Sequence, residues 1–449
     1  MLDTTWTRSC PDFGPKADEL PECAGLSLLA DPCFCNLLFA LSDRGMTFEQ
    51  FSRLPMPQGL TAAQTWQVLS AIRRRQAIYY KDTCLIAGRQ MQQWFTPTRS
   101  IDAMLSDLAA RTQAGSPIDN ALHERHGRRF IVRSLIEETS AALSCDGFQV
   151  DYEAVRAVVG GDAAPATPVG RLIANTHSLL SDVVDADGAV SAITPQSIRH
   201  IYARLTEGLD AESLGGGLAW GMEWPEDDLP AEQVLAEVCA MADGRLCDPA
   251  CHPIIMGQQL TCKIWKYPPF PSCNYILGSL VTRLYMKRKG YPVFTYIPSS
   301  KMTLAWKSGG YTDTRVSPYA QCGSITEYDR DWTIYWESCL ALLQHELDDL
   351  ESSVLALKDS DDALLAHLTD DHAFNHRQRD LLRRSILVPG IAFRIEEHRK
   401  AYDLAYSTAR ADLTSLVERG LLEMHYEGKA QVFGPRRDMK AVLTRKYVS

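Results

Sequence analysis

Apolar residues recur at helical spacing along most of the chain, which predicts a mainly α protein with two short β segments. Residues 1–24 break that pattern; polar, proline-containing and aperiodic, they read as a loosely packed N-terminal arm. Over 25–95, Leu37, Leu38, Phe39 and Leu41 mark one helix, and Phe48, Phe51 and Leu54 a short second. A third, started by Thr61, runs from Leu60 to Ile72 and carries Trp66, Leu69 and Ile72 on one face. Ile78-Tyr79-Tyr80 and Cys84-Leu85-Ile86, joined through Lys81-Asp82, predict a hairpin. Three helices and a two-stranded wing describe a winged-helix-like domain. Helical spacing then holds over 96–365, broken at Gly160-Gly161-Asp162-Ala163-Ala164-Pro165. It includes a long amphipathic helix over 330–358 that aligns Leu340, Leu342, Leu343, Leu347 and Leu350, with Glu346, Asp348, Asp349 and Glu351 on a solvated face. The segment 370–449 repeats the three-helix and wing pattern. Leu381-Leu382 lie in its first helix, Ile395-Glu396-Glu397 start the second, and Ser407 caps the third. Its wing is Leu422–Tyr426 and Gln431–Phe433, turning at Glu427-Gly428.

One stretch organises the rest. Between His252 and Lys301, an apolar run containing Ile264, Trp265 and Tyr267 meets a loop stiffened by Pro268, Pro269 and Pro271. After it, Ile276, Leu277, Leu280, Val281, Leu284 and Tyr285 recur at helical spacing. Proline cannot continue a helix interior, and Ser272 and Asn274 are good N-caps, so the stretch predicts helix, loop, helix. The loop then sits on a helix N-terminus, where amide donors lack partners and an anion is favoured. Between Thr261 and Ala320, Lys263, Lys266, Arg283, Lys287, Arg288, Lys289, Lys301, Lys307 and Arg315 stand against a single acid, Asp313. In a chain of net charge −10, that concentration predicts a basic cleft for an anionic small molecule, a nucleotide or phosphometabolite.

The same stretch resembles the Fic (Fido-domain) family, whose motif HPFx(D/E)GNGRxxR lies between two helices. His252-Pro253-Ile254-Ile255 is similar to the opening of the family's first helix, and Lys289-Gly290-Tyr291-Pro292 to the exit from its second. Within the motif Pro269, Phe270 and Asn274 match. Pro268 stands at the catalytic His, Ser272 at the metal-binding acid, Cys273 and Tyr275 at the two glycines, and Ile276 and Ser279 at the arginines. Thr194-Pro195-Gln196-Ser197-Ile198 and Pro230-Ala231-Glu232-Gln233-Val234 resemble earlier helix starts, and Tyr319-Ala320-Gln321 and Asp329–Tyr335 the last core helices. Phe374–Gln378 and Ser407–Leu413 resemble the family's common C-terminal winged helix. Asp146-Gly147 stands at the place of the inhibitory-helix Glu, with Ala142 replacing its Ser or Thr, and Gly215–Met222 at the place of a flap hairpin. The resemblance implies an all-helical Fic-like core over 96–365, flanked by N-terminal and C-terminal winged-helix domains. It also implies a relation to enzymes that transfer AMP from ATP to a protein hydroxyl.

That reaction needs a base, a metal ion on the triphosphate, and contacts to the leaving group. Pro268 is no base and Ser272 is a poor magnesium ligand, so standard protein AMPylation is not expected. Two readings follow. In one, a remodelled site performs altered transferase chemistry. A Cys273 thiolate, its pKa lowered by the helix dipole, is flanked by Ser272 and Tyr275, and Lys263, Lys266, Tyr267, Phe270, Asn274 and Arg283 bind the ligand. In the other, the chain is a catalytically inactive regulator or adaptor that meets DNA or protein through its winged helices. Arg73, Arg74, Arg410 and Arg436 are then the candidates for DNA phosphates. Cys247, Cys251 and His252 lack a second ligand pair, so no metal is expected, and the sequence names no cofactor. Thirteen scattered cysteines and no signal peptide predict reduced thiols and a cytoplasmic location, and no apolar run is long enough for a membrane helix.

Overall fold

The computed structural model describes residues 28–86, 89–90, 92–123, 127–185, 192–210, 214, 228–246, 248–307, 331–388, 391–427, 430–436 and 438–448. The expected arm over 1–24, the flap at Gly215–Met222 and the segment around Tyr319 lie outside the described residues. The protein is mainly helical, and among the described residues no helix is long and apolar enough to cross a membrane. It forms two compact units, one of residues 1–119 and 134–348, the other of 120–133 and 349–449.

The first unit begins with α1 (Pro32–Asp43), α2 (Phe48–Ser52) and α3 (Ala62–Arg75). Asp31, Thr47 and Thr61 cap them, and Gln50 and Gln64 complete capping boxes on the last two. Their apolar faces enclose Phe34, Leu37, Leu41, Phe51 and Leu69, with the Phe51 and Trp66 rings 4.9 Å apart. Four short strands follow: β1 (Ile78–Tyr79), β2 (Leu85–Ile86), β3 (Arg89–Gln90) and β4 (Trp94–Phe95). The expected hairpin between the first two does not form, because β1 pairs with β4 and β2 with β3. The intended turn is held from inside. The Thr83 amide and hydroxyl both donate to Glu237, and its carbonyl accepts from Lys263. Arg73 is likewise drawn inward. Buried, it pairs with Asp331 at 2.7 Å and donates to Thr333, so it is closed to DNA phosphate. Arg74 stays exposed, with its guanidinium 5.7 Å from the Trp94 ring.

The remaining helices of this half of the chain are α4 (Arg99–Thr112), α5 (Pro117–His123), α6 (Gly127–Cys145), α7 (Tyr152–Val159), α8 (Pro168–Asp185), α9 (Pro195–Leu205), α10 (Ala231–Ala242), α11 (Pro253–Lys266), α12 (Asn274–Arg288) and α13 (Ser299–Lys307). The helix starts expected at Thr194, Pro230 and His252 are where α9, α10 and α11 begin. Helix α12 is the centre. Twelve of its 15 residues are buried and it presents no continuous polar face, as a helix surrounded on all sides must. It meets α11 at backbone range: a Cβ on Gly278 would lie 3.2 Å from the Thr261 Cα. The Thr261 and Thr282 hydroxyls join the two helices at 2.7 Å.

Helix α14 (Thr333–Asp370) runs past the expected end at 358. It buries Leu340, Leu342, Leu343, Leu347 and Leu350 as the pattern requires, but it also buries Glu346, which was expected on the solvated face and lies 3.8 Å from the Lys301 ammonium. The second unit continues with α15 (His376–Leu387), β5 (Phe393–Arg394), α16 (Ile395–Tyr402), α17 (Tyr406–Glu418), β6 (Leu422–Glu427), β7 (Ala430–Pro435) and α18 (Met439–Val448). The three strands form an antiparallel sheet in the order β5-β7-β6 over a core that includes Leu381, Leu382, Leu413, Leu416 and Phe433. Ser407 does not cap α17, which starts after Ala405 without a side-chain cap. Asp412 organises these helices from inside, accepting hydrogen bonds from Asn375 and Arg377, with the His398 Nε2 at 3.2 Å.

Candidate functional site

The stretch 268–273 joins α11 to α12. Neither Ser272 nor Asn274 is the cap of α12. That position belongs to Cys273, whose φ of 56° is left-handed, and no side chain caps there. Asn274 works backwards instead: its Nδ2 donates to the Phe270 carbonyl at 2.7 Å and its Oδ1 accepts from the Phe270 amide at 3.1 Å. This clamp fixes the loop, and the Phe270 ring stacks on Tyr202 with centroids 4.0 Å apart. The Ser272 hydroxyl, also buried, lies against the Tyr202 phenol.

The amide donors at the start of α12 do have a partner. Asp146, directly after α6, accepts from the Tyr275 amide at 3.0 Å and from the Ile276 amide at 2.9 Å, one through each carboxylate oxygen. Gly147, at φ 89°, turns the chain out of α6 so that this carboxylate faces α12. The position that the resemblance gave to an inhibitory acid therefore places a carboxyl group on a helix N-terminus. Burial pushes the Asp146 carboxyl up to about 7, against the opposing pull of the two amides.

The thiol behaves oppositely to expectation. Cys273 is 0% exposed, and burial, reinforced by the neighbouring Asp146 charge, pushes it up to about 12, so it is no thiolate near neutrality. Tyr275 is buried too, donates to the Thr303 hydroxyl at 2.7 Å, and has its phenol raised well above the usual value by burial.

Two cations of the expected basic cleft, Lys263 and Arg283, are turned inward, whereas Arg288, Lys289 and Lys301 stay exposed. Lys263, its side chain 1% exposed, pairs with Glu237 at 2.8 Å and Asp82 at 3.2 Å and lies 4.5 Å from the centre of the Tyr267 ring. Burial opposes ionisation of Glu237, but hydrogen bonds from Lys263, Thr83 and Gln233 outweigh it and hold this acid below the usual carboxylate range. Arg283 pairs with buried Glu138 at 2.8 Å and donates to the carbonyls of Phe294, Thr295 and Ile297. Glu138 also accepts from Ser279, at the place of a motif arginine. Lys287 donates to the Val183 and Val184 carbonyls, and Lys266 lies over the Tyr267 and Trp332 rings at 5.5 and 5.8 Å. Arg315 and Asp313 lie outside the described residues. A cavity of about 50 Å³ beside Trp265, Tyr275 and Thr303 has room for water and not for a nucleotide. Asp82, Thr83, Glu138, Tyr202 and Glu237 were missed in the sequence, since none belongs to a motif or to a local charge cluster.

Among the described residues no group of three His, Cys, Asp or Glu side chains could hold a metal ion. In the second unit Arg410 is exposed, whereas Arg436 is held by both oxygens of Asp438 at 3.0 Å, which reduces it as a phosphate contact.

No family model matches this chain, and no curated protein matches it. Among solved structures, the chain is similar to a Fic family protein from Desulfovibrio desulfuricans G20, with a TM-score of 0.46 and 17% sequence identity, over 76% of this chain and 98% of that one.

Proposed function

We propose that this protein is a Fic-like chain whose former anion site is closed by its own Asp146, and that it acts by binding, as a catalytically inactive regulator or adaptor. The observation that carries this reading is the carboxylate of Asp146 on the amides of Tyr275 and Ile276, where a phosphate would otherwise be held. Three further features support it. The Cys273 thiol is buried and neutral, no base stands at Pro268, and Lys263 and Arg283 are neutralised by internal acids. Altered transferase chemistry on an anionic ligand is the less favoured reading, because Cys273 is buried and neutral, Tyr275 is held by Thr303, and Lys263 and Arg283 are paired with internal acids. In this proposal 96–365 is the Fic-like core, 25–95 and 370–449 are winged-helix domains, and the protein works in the cytoplasm.

Melting the purified chain with and without ATP, AMP, magnesium and inorganic phosphate tests the proposal. A ligand at about 100 times its dissociation constant would stabilise the protein by ~2.7 kcal/mol. The expected result is no shift with any of them and no AMP transfer to protein hydroxyls. A reproducible nucleotide-dependent shift would overturn the closed-site reading.

A further inference from the structure

We propose that the groove between α14 and α15 binds a small organic carboxylate carried on an apolar body. This goes beyond the closed anion site, because the groove lies wholly in the second unit. Residues 371–375 join the two helices, and between them lies a cavity of about 450 Å³, a size that holds a small molecule.

The two walls of the groove differ in chemistry. On α14, half-buried Leu365 and buried Leu368 supply an apolar surface continuous with the core of this unit. On α15, Arg379 and Arg383 line the groove four residues apart, a spacing that sets both guanidiniums on one helix face. Arg379 is steadied by a hydrogen bond to the Thr369 carbonyl, and among the described residues neither arginine has an acid partner. Asp380 also lines the groove, but its carboxylate is engaged by the Tyr402 phenol at 2.8 Å, and two cations stand against this one acid. The guanidinium fork matches a carboxylate through two parallel hydrogen bonds. A bare anion would leave Leu365 uncovered, and a bare hydrocarbon would bury guanidinium donors without acceptors. A ligand with both parts satisfies both walls.

The test is isothermal titration calorimetry of the full chain with 1-naphthoate, a carboxylate on a rigid apolar body. One equivalent is expected to bind with a dissociation constant of about 10⁻³ to 10⁻⁵ M. Arg383→Gln, which removes a charged donor, should weaken it roughly 10- to 100-fold. Arg383 is exposed, so the variant should keep its fold, which its circular dichroism verifies. Ala366→Glu, which sets a carboxylate on the α14 wall, should weaken binding as well. Arg410→Gln, outside the groove, and Asp146→Asn should bind as the parent does, so this proposal and the closed-site reading fail separately. Three results would overturn the proposal: no binding up to about 10 mM, an Arg383→Gln chain indistinguishable from the parent, or 1-naphthylmethylamine or inorganic phosphate bound as tightly as the carboxylate.

Discussion

Replacing Asp146 by Asn separates the charge of this buried group from its shape. The two oxygens of Asp146 accept from the Tyr275 and Ile276 amides, and an Asn offers one acceptor and turns an NH₂ toward the other amide. Leaving one buried donor unmatched costs about 1–3 kcal/mol, independent of pH. The charge acts in the opposite sense. Burial raises the folded carboxyl from the ordinary 3.8 to about 7, so between those values the native chain holds a proton that the unfolded chain has lost. Stability therefore falls as pH rises through that window, by ~1.4 kcal/mol per unit and by about 4 kcal/mol across it. The Asn variant lacks this slope. It should be the less stable chain near the acid end of the window and should equal or overtake the parent above about pH 7. Urea unfolding of both chains in pH steps, followed by tryptophan fluorescence, reads the difference directly, because every other titrating group is shared. A stability gap that stays constant across the window would refute the reasoning and mean that the amides keep Asp146 an ordinary carboxylate.

Two further outcomes follow from the burial of the neighbouring groups. Iodoacetamide at about pH 8 should leave Cys273 unmodified in the folded chain and alkylate it only after denaturation, as peptide mass mapping would show; rapid labelling of the native protein would contradict the burial of this thiol. Lys263→Met should destabilise the protein by about 3–5 kcal/mol by stranding Asp82 and Glu237, whereas Lys266→Met, which removes ring contacts at a half-buried position, should cost less than ~1 kcal/mol; equal effects in chemical unfolding would refute the ion-pair assignment.

Patterns set by local physics were legible in the sequence. Helix α3 begins at Thr61 through a capping box, and α9 and α11 begin at Thr194 and His252, each a side-chain cap followed at once by proline. The strands β6 and β7 were legible from their apolar and turn residues. What misled was long-range. The Ile78–Ile86 hairpin failed because Glu237 and Lys263, far along the chain, capture Thr83. The nine-residue basic cluster suggested a cleft, yet Lys263 and Arg283 are matched by acids at positions 82, 237 and 138, whose proximity no local pattern records. Cys273 lies at the start of α12, where the helix dipole alone would lower its thiol pKa, but burial dominates and raises it. Asp146 shows the reverse case: a glycine after an acid at a helix end singles the residue out in the sequence, while its partners, the Tyr275 and Ile276 amides, are visible only in three dimensions.

The occupancy of the two amides at the start of α12 decides the account. Crystals grown with saturating ATP and magnesium should show Asp146 within hydrogen-bond distance of the Tyr275 and Ile276 amides and no phosphate there. A phosphate oxygen on those amides, with Asp146 displaced, would contradict a closed site and restore a ligand-binding pocket.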